Sequence, residues 1–230
     1  EFGAWTALGA GLLLILSTPV QHYCGMVMAE APALLFFTGA LLCYSRYLET
    51  ERPLEAACFG ALAALAILTK QVTAVLAAVP LGAVLLTFRF RLLRRWSFWL
   101  PALIVIFACE PWSLLCASEI SDSLKRIAGP PSWQPAPAQF LRPLVYAFGS
   151  GIFALSLAGV WARIVRPLVA GRPPECRWAV WIAPVLGLGC AHLWFAGSFE
   201  TRHLIYLLPA LLAFAAAGAR WFAGLLPATR

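Results

Sequence analysis

From Leu54 to Phe88 the chain runs through mostly apolar residues, and the polar step at Lys70-Gln71 in its middle constrains the fold more than any other feature. The run is far too long for one membrane crossing. Split at Lys70, it gives two spans of about 16–17 residues, each near the length that crosses a bilayer core. Lys70 then lies at a membrane face, at the tip of a tight helical hairpin. An ionisable residue in that place is costly, which marks it as a functional candidate.

The rest of the chain repeats the pattern. It is 62% hydrophobic and only 12% charged, against roughly half apolar and about a quarter charged in a soluble domain. The expected fold class is therefore all-α, a polytopic transmembrane helical bundle forming one domain over 1–230. Apolar segments at about 4–18, 31–48, 54–69, 72–88, 97–117, 142–162, 178–195 and 204–222 predict eight spans. One connector is long, at 118–141, and its Pro130, Pro131, Pro135 and Pro137 argue against an extended helix there. Trp133 and Phe140 suit the headgroup region. The seven cysteines (Cys24, Cys43, Cys58, Cys109, Cys116, Cys176 and Cys190) are scattered, without a CxxC pair or zinc-ligand spacing. No nucleotide-binding loop, GxSxG or HExxH occurs.

The net charge of +7 does not call for nucleic acid, because its distribution is that of a topology signal. Twelve of the 17 basic residues, from Arg46 and Arg52 through Arg89–Arg95 and Arg163–Arg177 to Arg220 and Arg230, fall in one set of alternate connectors. The positive-inside rule places that set in the cytoplasm. Lys70 is then extracytoplasmic, as are His22, Glu30, Glu110, the long loop at 118–141 and the cluster Glu200-Thr201-Arg202-His203. Carboxylates and cations thus gather at one face, a setting for an anionic or phosphate-bearing ligand whose apolar part stays among the membrane lipids.

Each candidate has a plain reading beside the functional one. Lys70 either snorkels from its hairpin or offers a compact point charge to a lipid-linked phosphate. Glu30 either caps the second helix, where the dipole favours an acid and Pro32 fits the first turn, or acts on an acceptor or metal. Arg202 either meets headgroups or presents its planar fork to phosphate. Glu200 and His203 would share a helical face at a spacing of three.

Four stretches, in this order, resemble a known family. They are Ser17-Thr18-Pro19 with Met28-Ala29-Glu30-Ala31-Pro32, then Gly60 to Leu68-Thr69-Lys70-Gln71, then Pro111-Trp112, and finally Glu200-Thr201-Arg202-His203-Leu204 with Pro209. The order is similar to that in the GT-C membrane glycosyltransferases that use polyprenyl-phosphate sugars, in the branch of the protein O-mannosyltransferases and the aminoarabinose transferase of lipid A. The resemblance implies a GT-C-like fold and inverting transfer of a sugar from a polyprenyl-phosphate donor to an extracytoplasmic acceptor (lipid, glycan or protein). It implies Glu30 as a catalytic residue, and Lys70, Gln71, Glu200, Arg202 and His203 as substrate-binding residues. It admits a divalent metal ion, which no ligand spacing here requires. It also implies an inner (plasma) membrane protein of a bacterium with its site on the extracytoplasmic side. The chain departs from the family pattern with Glu30 in place of Asp and His203 in place of Tyr. The family's acidic residue in the first extracytoplasmic loop has no counterpart, and Glu1-Phe2-Gly3 opens without Met. Upstream spans are therefore expected, and this stretch alone is expected to be inactive. The rival reading is a transporter or flippase for an anionic lipid-linked substrate, disfavoured because the charges cluster at one face rather than at the midplane.

Overall fold

A computed structural model describes residues 3–16, 29–117, 136–194 and 201–225. Among the described residues the regular structure is helical, with no strand. Helix α1 is Ala4–Leu16, α2 is Glu30–Thr50 and α3 is Pro53–Thr69. A 3₁₀ turn, Gln71–Ala77, leads into α4, Ala78–Thr87, and a second, Phe90–Arg94, precedes α5, Trp96–Leu115. Helix α6, Ala136–Val160, continues through a π turn, Trp161–Val165, and a last helical turn, Arg166–Val169. Helix α7 is Cys176–Trp194, and a third 3₁₀ turn, Thr201–Leu207, opens α8, Leu208–Ala223.

Within the described residues each predicted span falls on helix, but the lengths differ. Glu30–Thr50, Trp96–Leu115, Gly149–Val169 and Leu204–Ala223 are long and apolar enough to cross a membrane, whereas Thr6–Leu16, Pro53–Thr69, Gln71–Thr87 and Cys176–Cys190 are apolar but shorter. The 3₁₀ backbone offsets part of that shortfall in Gln71–Thr87. It rises about 2.0 Å per residue against about 1.5 Å in an α-helix, so the unit extends roughly 29 Å, close to a bilayer core of about 30 Å.

Two expectations are corrected. The connector predicted over 118–141 gives way to helix at Ala136, because Pro137 falls in the first turn, where its missing N–H costs nothing; residues 118–135 lie outside the described residues. The span predicted over 142–162 is broken at Gly149, whose φ of 73° and ψ of 150° are not helical. That conformation suits glycine and no other residue.

Helix α2 is the centre of the bundle. Phe37, Leu41, Tyr44 and Leu48, spaced to share one helical face, are all fully buried. Helix α3 packs back along α2, α5 packs on α3, α7 covers α2 and α4, and α8 lies against α6. The outer helices turn apolar side chains such as Ile106, Phe107 and Leu115 away from the protein. That is how a chain faces lipid, where tails are as apolar as leucine.

The two ends of the bundle are chemically distinct. Three connectors meet at one end. Glu51 accepts Arg91 at 2.5 Å and Arg95 at 2.8 Å, with Arg89 at 4.0 Å. Arg177 lies 3.5 Å from Glu49, and Arg163 reaches Glu175 at 3.3 Å while stacking over the Trp178 ring. Arg89, Arg91, Arg95, Arg163 and Arg177, assigned by sequence to alternate connectors, thus share one end. Because α2 and α3 run antiparallel, Glu30 and Lys70 come together at the other.

Candidate functional site

Lys70 ends α3 in extended conformation, with φ of −154° and ψ of 115°. Its N–H donates to the Ala66 carbonyl at 2.8 Å. Its own carbonyl accepts the Thr73 N–H at 3.0 Å and the Thr73 hydroxyl at 2.8 Å. Thr73 is fully buried. The peptide of Lys70 is therefore fixed on both sides, and the side chain is aimed inward rather than left to follow the interface.

It reaches the first turn of α2. Lys70 Nζ lies 2.5 Å from Glu30 Oε1; the Lys70 side chain is 22% exposed and that of Glu30 is 0% exposed. Glu30 is the first residue of α2, where the partial positive charge of the helix end favours a carboxylate. The preceding Ala29 supplies no side-chain cap. A carboxylate removed from water needs a partner, and the ammonium of Lys70 is that partner. Sequence reasoning singled out both residues but not their pairing across 40 positions. The signal was present: a two-residue connector, Glu51-Arg52, joins α2 and α3, so residues at comparable distances on either side of it must face each other.

Gln71 opens the 3₁₀ turn beside Lys70 and is exposed. The Thr201–Leu207 turn closes over the same end. Tyr206 packs on Phe37 of α2 with ring centroids 5.6 Å apart, and Leu204 and Leu207 cluster with Val72 and Val75 of the Lys70 turn. The backbone carrying Arg202 and His203 is thus brought to the neighbourhood of the Glu30–Lys70 pair. The side chains of Arg202 and His203, and Glu200 as a whole, lie outside the described residues, as do His22 and the polar residues of the long connector. Glu110 is exposed on α5, which continues helical through Pro111 and Trp112. Among the described residues no three His, Cys, Asp or Glu side chains gather as metal ligands.

Among the described side chains the site consists of a fixed, partly exposed lysine and the buried carboxylate that holds it, at one end of an apolar bundle. A partly exposed ammonium in such a place is chemically able to meet an anion as a point charge. Residues 1–114 match the family model of dolichyl-phosphate-mannose-protein mannosyltransferase, a stretch that holds both Glu30 and Lys70 and ends within α5. No curated protein and no solved structure matches the chain.

Proposed function

We propose, from the match of residues 1–114 to the family model of dolichyl-phosphate-mannose-protein mannosyltransferase, that this integral membrane protein is a GT-C-type glycosyltransferase that transfers a sugar from a polyprenyl-phosphate donor to an extracytoplasmic acceptor. The observation that carries the reading is the Glu30–Lys70 pair inside the matched stretch. The donor enters sideways from the lipid. Lys70 meets its phosphodiester, and Arg202 joins from the Thr201–Leu207 turn, with Gln71, Glu200 and His203 around the headgroup.

The acceptor hydroxyl or amine attacks the anomeric carbon, forming a new bond to the sugar. The bond between that carbon and the phosphate oxygen breaks, and the electron pair leaves with the polyprenyl phosphate. Charge grows on the departing phosphate, where Lys70 and Arg202 stabilise it. The acceptor proton passes to a carboxylate. Because Glu30 is buried and engaged with Lys70, its part is to hold and orient the ammonium, and a second carboxylate serves as the base. Glu30 is thus assigned a positioning role in place of the catalytic one expected from the resemblance. A divalent ion is not needed for any of these steps.

The test is transfer of labelled sugar from a polyprenyl-phosphate donor by the full-length protein in proteoliposomes. Loss of one preorganised charge contact typically costs about 10²–10³ in rate, so Lys70→Met is expected to fall by that factor. Lys70→Arg should retain more activity than Lys70→Met. Transfer by Lys70→Met at the unaltered rate would refute the assignment.

A further inference from the structure

At the end of α2 away from Lys70, a groove of about 620 Å³ runs between α2, α3, α7 and α8. Its volume is within the range of about 300–1,000 Å³ that holds small ligands. Gly39, Leu42, Arg46 and Glu49 line it from one face of α2. Leu62, Trp181 and Ala213 supply apolar walls from the other helices. From Gly39 to Glu49 the helix rises about 15 Å, half the depth of a bilayer core of about 30 Å. The groove therefore spans one leaflet, from the midplane to the arginine-rich end.

Its charge is graded along that length. The inner part is apolar, and the mouth holds Arg46, Glu49 and Arg177. Arg177 lies 3.5 Å from Glu49 and 3.9 Å from Glu175, so its charge is engaged by carboxylates. Arg46 is exposed and has no ion pair among the described residues. One unmatched guanidinium thus stands where a headgroup phosphate would lie, above a slot of acyl-chain depth.

We propose that this groove binds an anionic phospholipid of the leaflet at the arginine-rich end, with its phosphate on Arg46 and one acyl chain along Leu42, Leu62 and Trp181. The site is separate from the Glu30–Lys70 pair and does not depend on the function proposed above.

The experiment is native mass spectrometry of the full-length protein, delipidated and then exposed to equal amounts of palmitoyl-oleoyl phosphatidylglycerol and phosphatidylcholine. Selective retention of phosphatidylglycerol is expected. Arg46→Gln should lower it about fivefold, the factor matching roughly 1 kcal/mol for one basic residue near an anionic lipid surface. Arg46→Lys should keep most of it, and Leu42→Trp, which fills the slot, should abolish it. Melting in lipid-free detergent serves as the folding control for each variant. Equal retention of both lipids, or retention unchanged in Arg46→Gln and Leu42→Trp, would overturn the proposal. So would displacement of phosphatidylglycerol by polyprenyl phosphate with the same sensitivity to these variants, which would give the groove to a donor tail instead.

Discussion

Glu30 lies wholly out of solvent, and its charge is tolerable there because Lys70 reaches it from the neighbouring helix. Removing one member of a buried ion pair leaves an uncompensated charge and costs about 3–5 kcal/mol, whereas replacing both with apolar side chains is often neutral. Since Lys70 keeps 22% of its side chain exposed, Lys70→Met is expected near the lower end of that range, about 3 kcal/mol. The double variant Glu30→Leu with Lys70→Met should recover most of the lost stability in detergent melting, yet remain inactive in sugar transfer. Recovery of transfer along with stability would reduce the pair to a packing device.

At the scale of elements, the bundle depends on how its helices are capped and how closely they approach. Glu51 ends α2 in the left-handed region, with φ of 56°, and is held there by Arg91 and Arg95. A non-glycine residue in that conformation costs roughly 1 kcal/mol relative to glycine. Glu51→Ala loses the ion pairs and keeps the strain; Glu51→Gly loses the ion pairs alone. Thermal unfolding should therefore find Glu51→Ala the less stable of the two by about 1 kcal/mol. Helices α6 and α8 meet through Gly159 and Gly218, where a Cβ on either would overlap the carbonyl oxygen of Phe214 or of Leu155. Ser156 crosses the same contact, donating to the Leu211 carbonyl at 2.9 Å. Small residues let membrane helices approach this closely. Gly159→Val should force them apart and cost at least about 1–3 kcal/mol, seen as a lower melting temperature and faster proteolysis, while Gly151→Val, with open space around it, should have a small effect.

Over the whole molecule, the polarity of the two ends predicts its orientation. The arginine-rich end should face the cytoplasm and the Lys70 end the opposite compartment. In a background without the native cysteines, Gln71→Cys should react with an impermeant maleimide added outside, and Arg172→Cys only after the membrane is opened. The reverse pattern would invert the proposed topology. Much of this was legible in the sequence, because hydropathy and charge are local properties. Apolar runs of helical length located the long α-helices among the described residues, and the alternation of arginines gathered the connectors that carry Arg89–Arg95, Arg163 and Arg177 at one end. Gln71–Ala77 was read as part of an ordinary span, since its composition does not distinguish a 3₁₀ from an α-helical turn. The break at Gly149 was missed for a related reason: glycine permits a positive φ without requiring one. Glu30 and Lys70 stood out one by one, as ionisable residues at the ends of apolar runs must. Their pairing, the approach of the Thr201–Leu207 turn and the groove beside Arg46 were decided only by the tertiary structure. Each depends on which helix faces lie opposite one another, and that is set by packing between residues far apart in the chain.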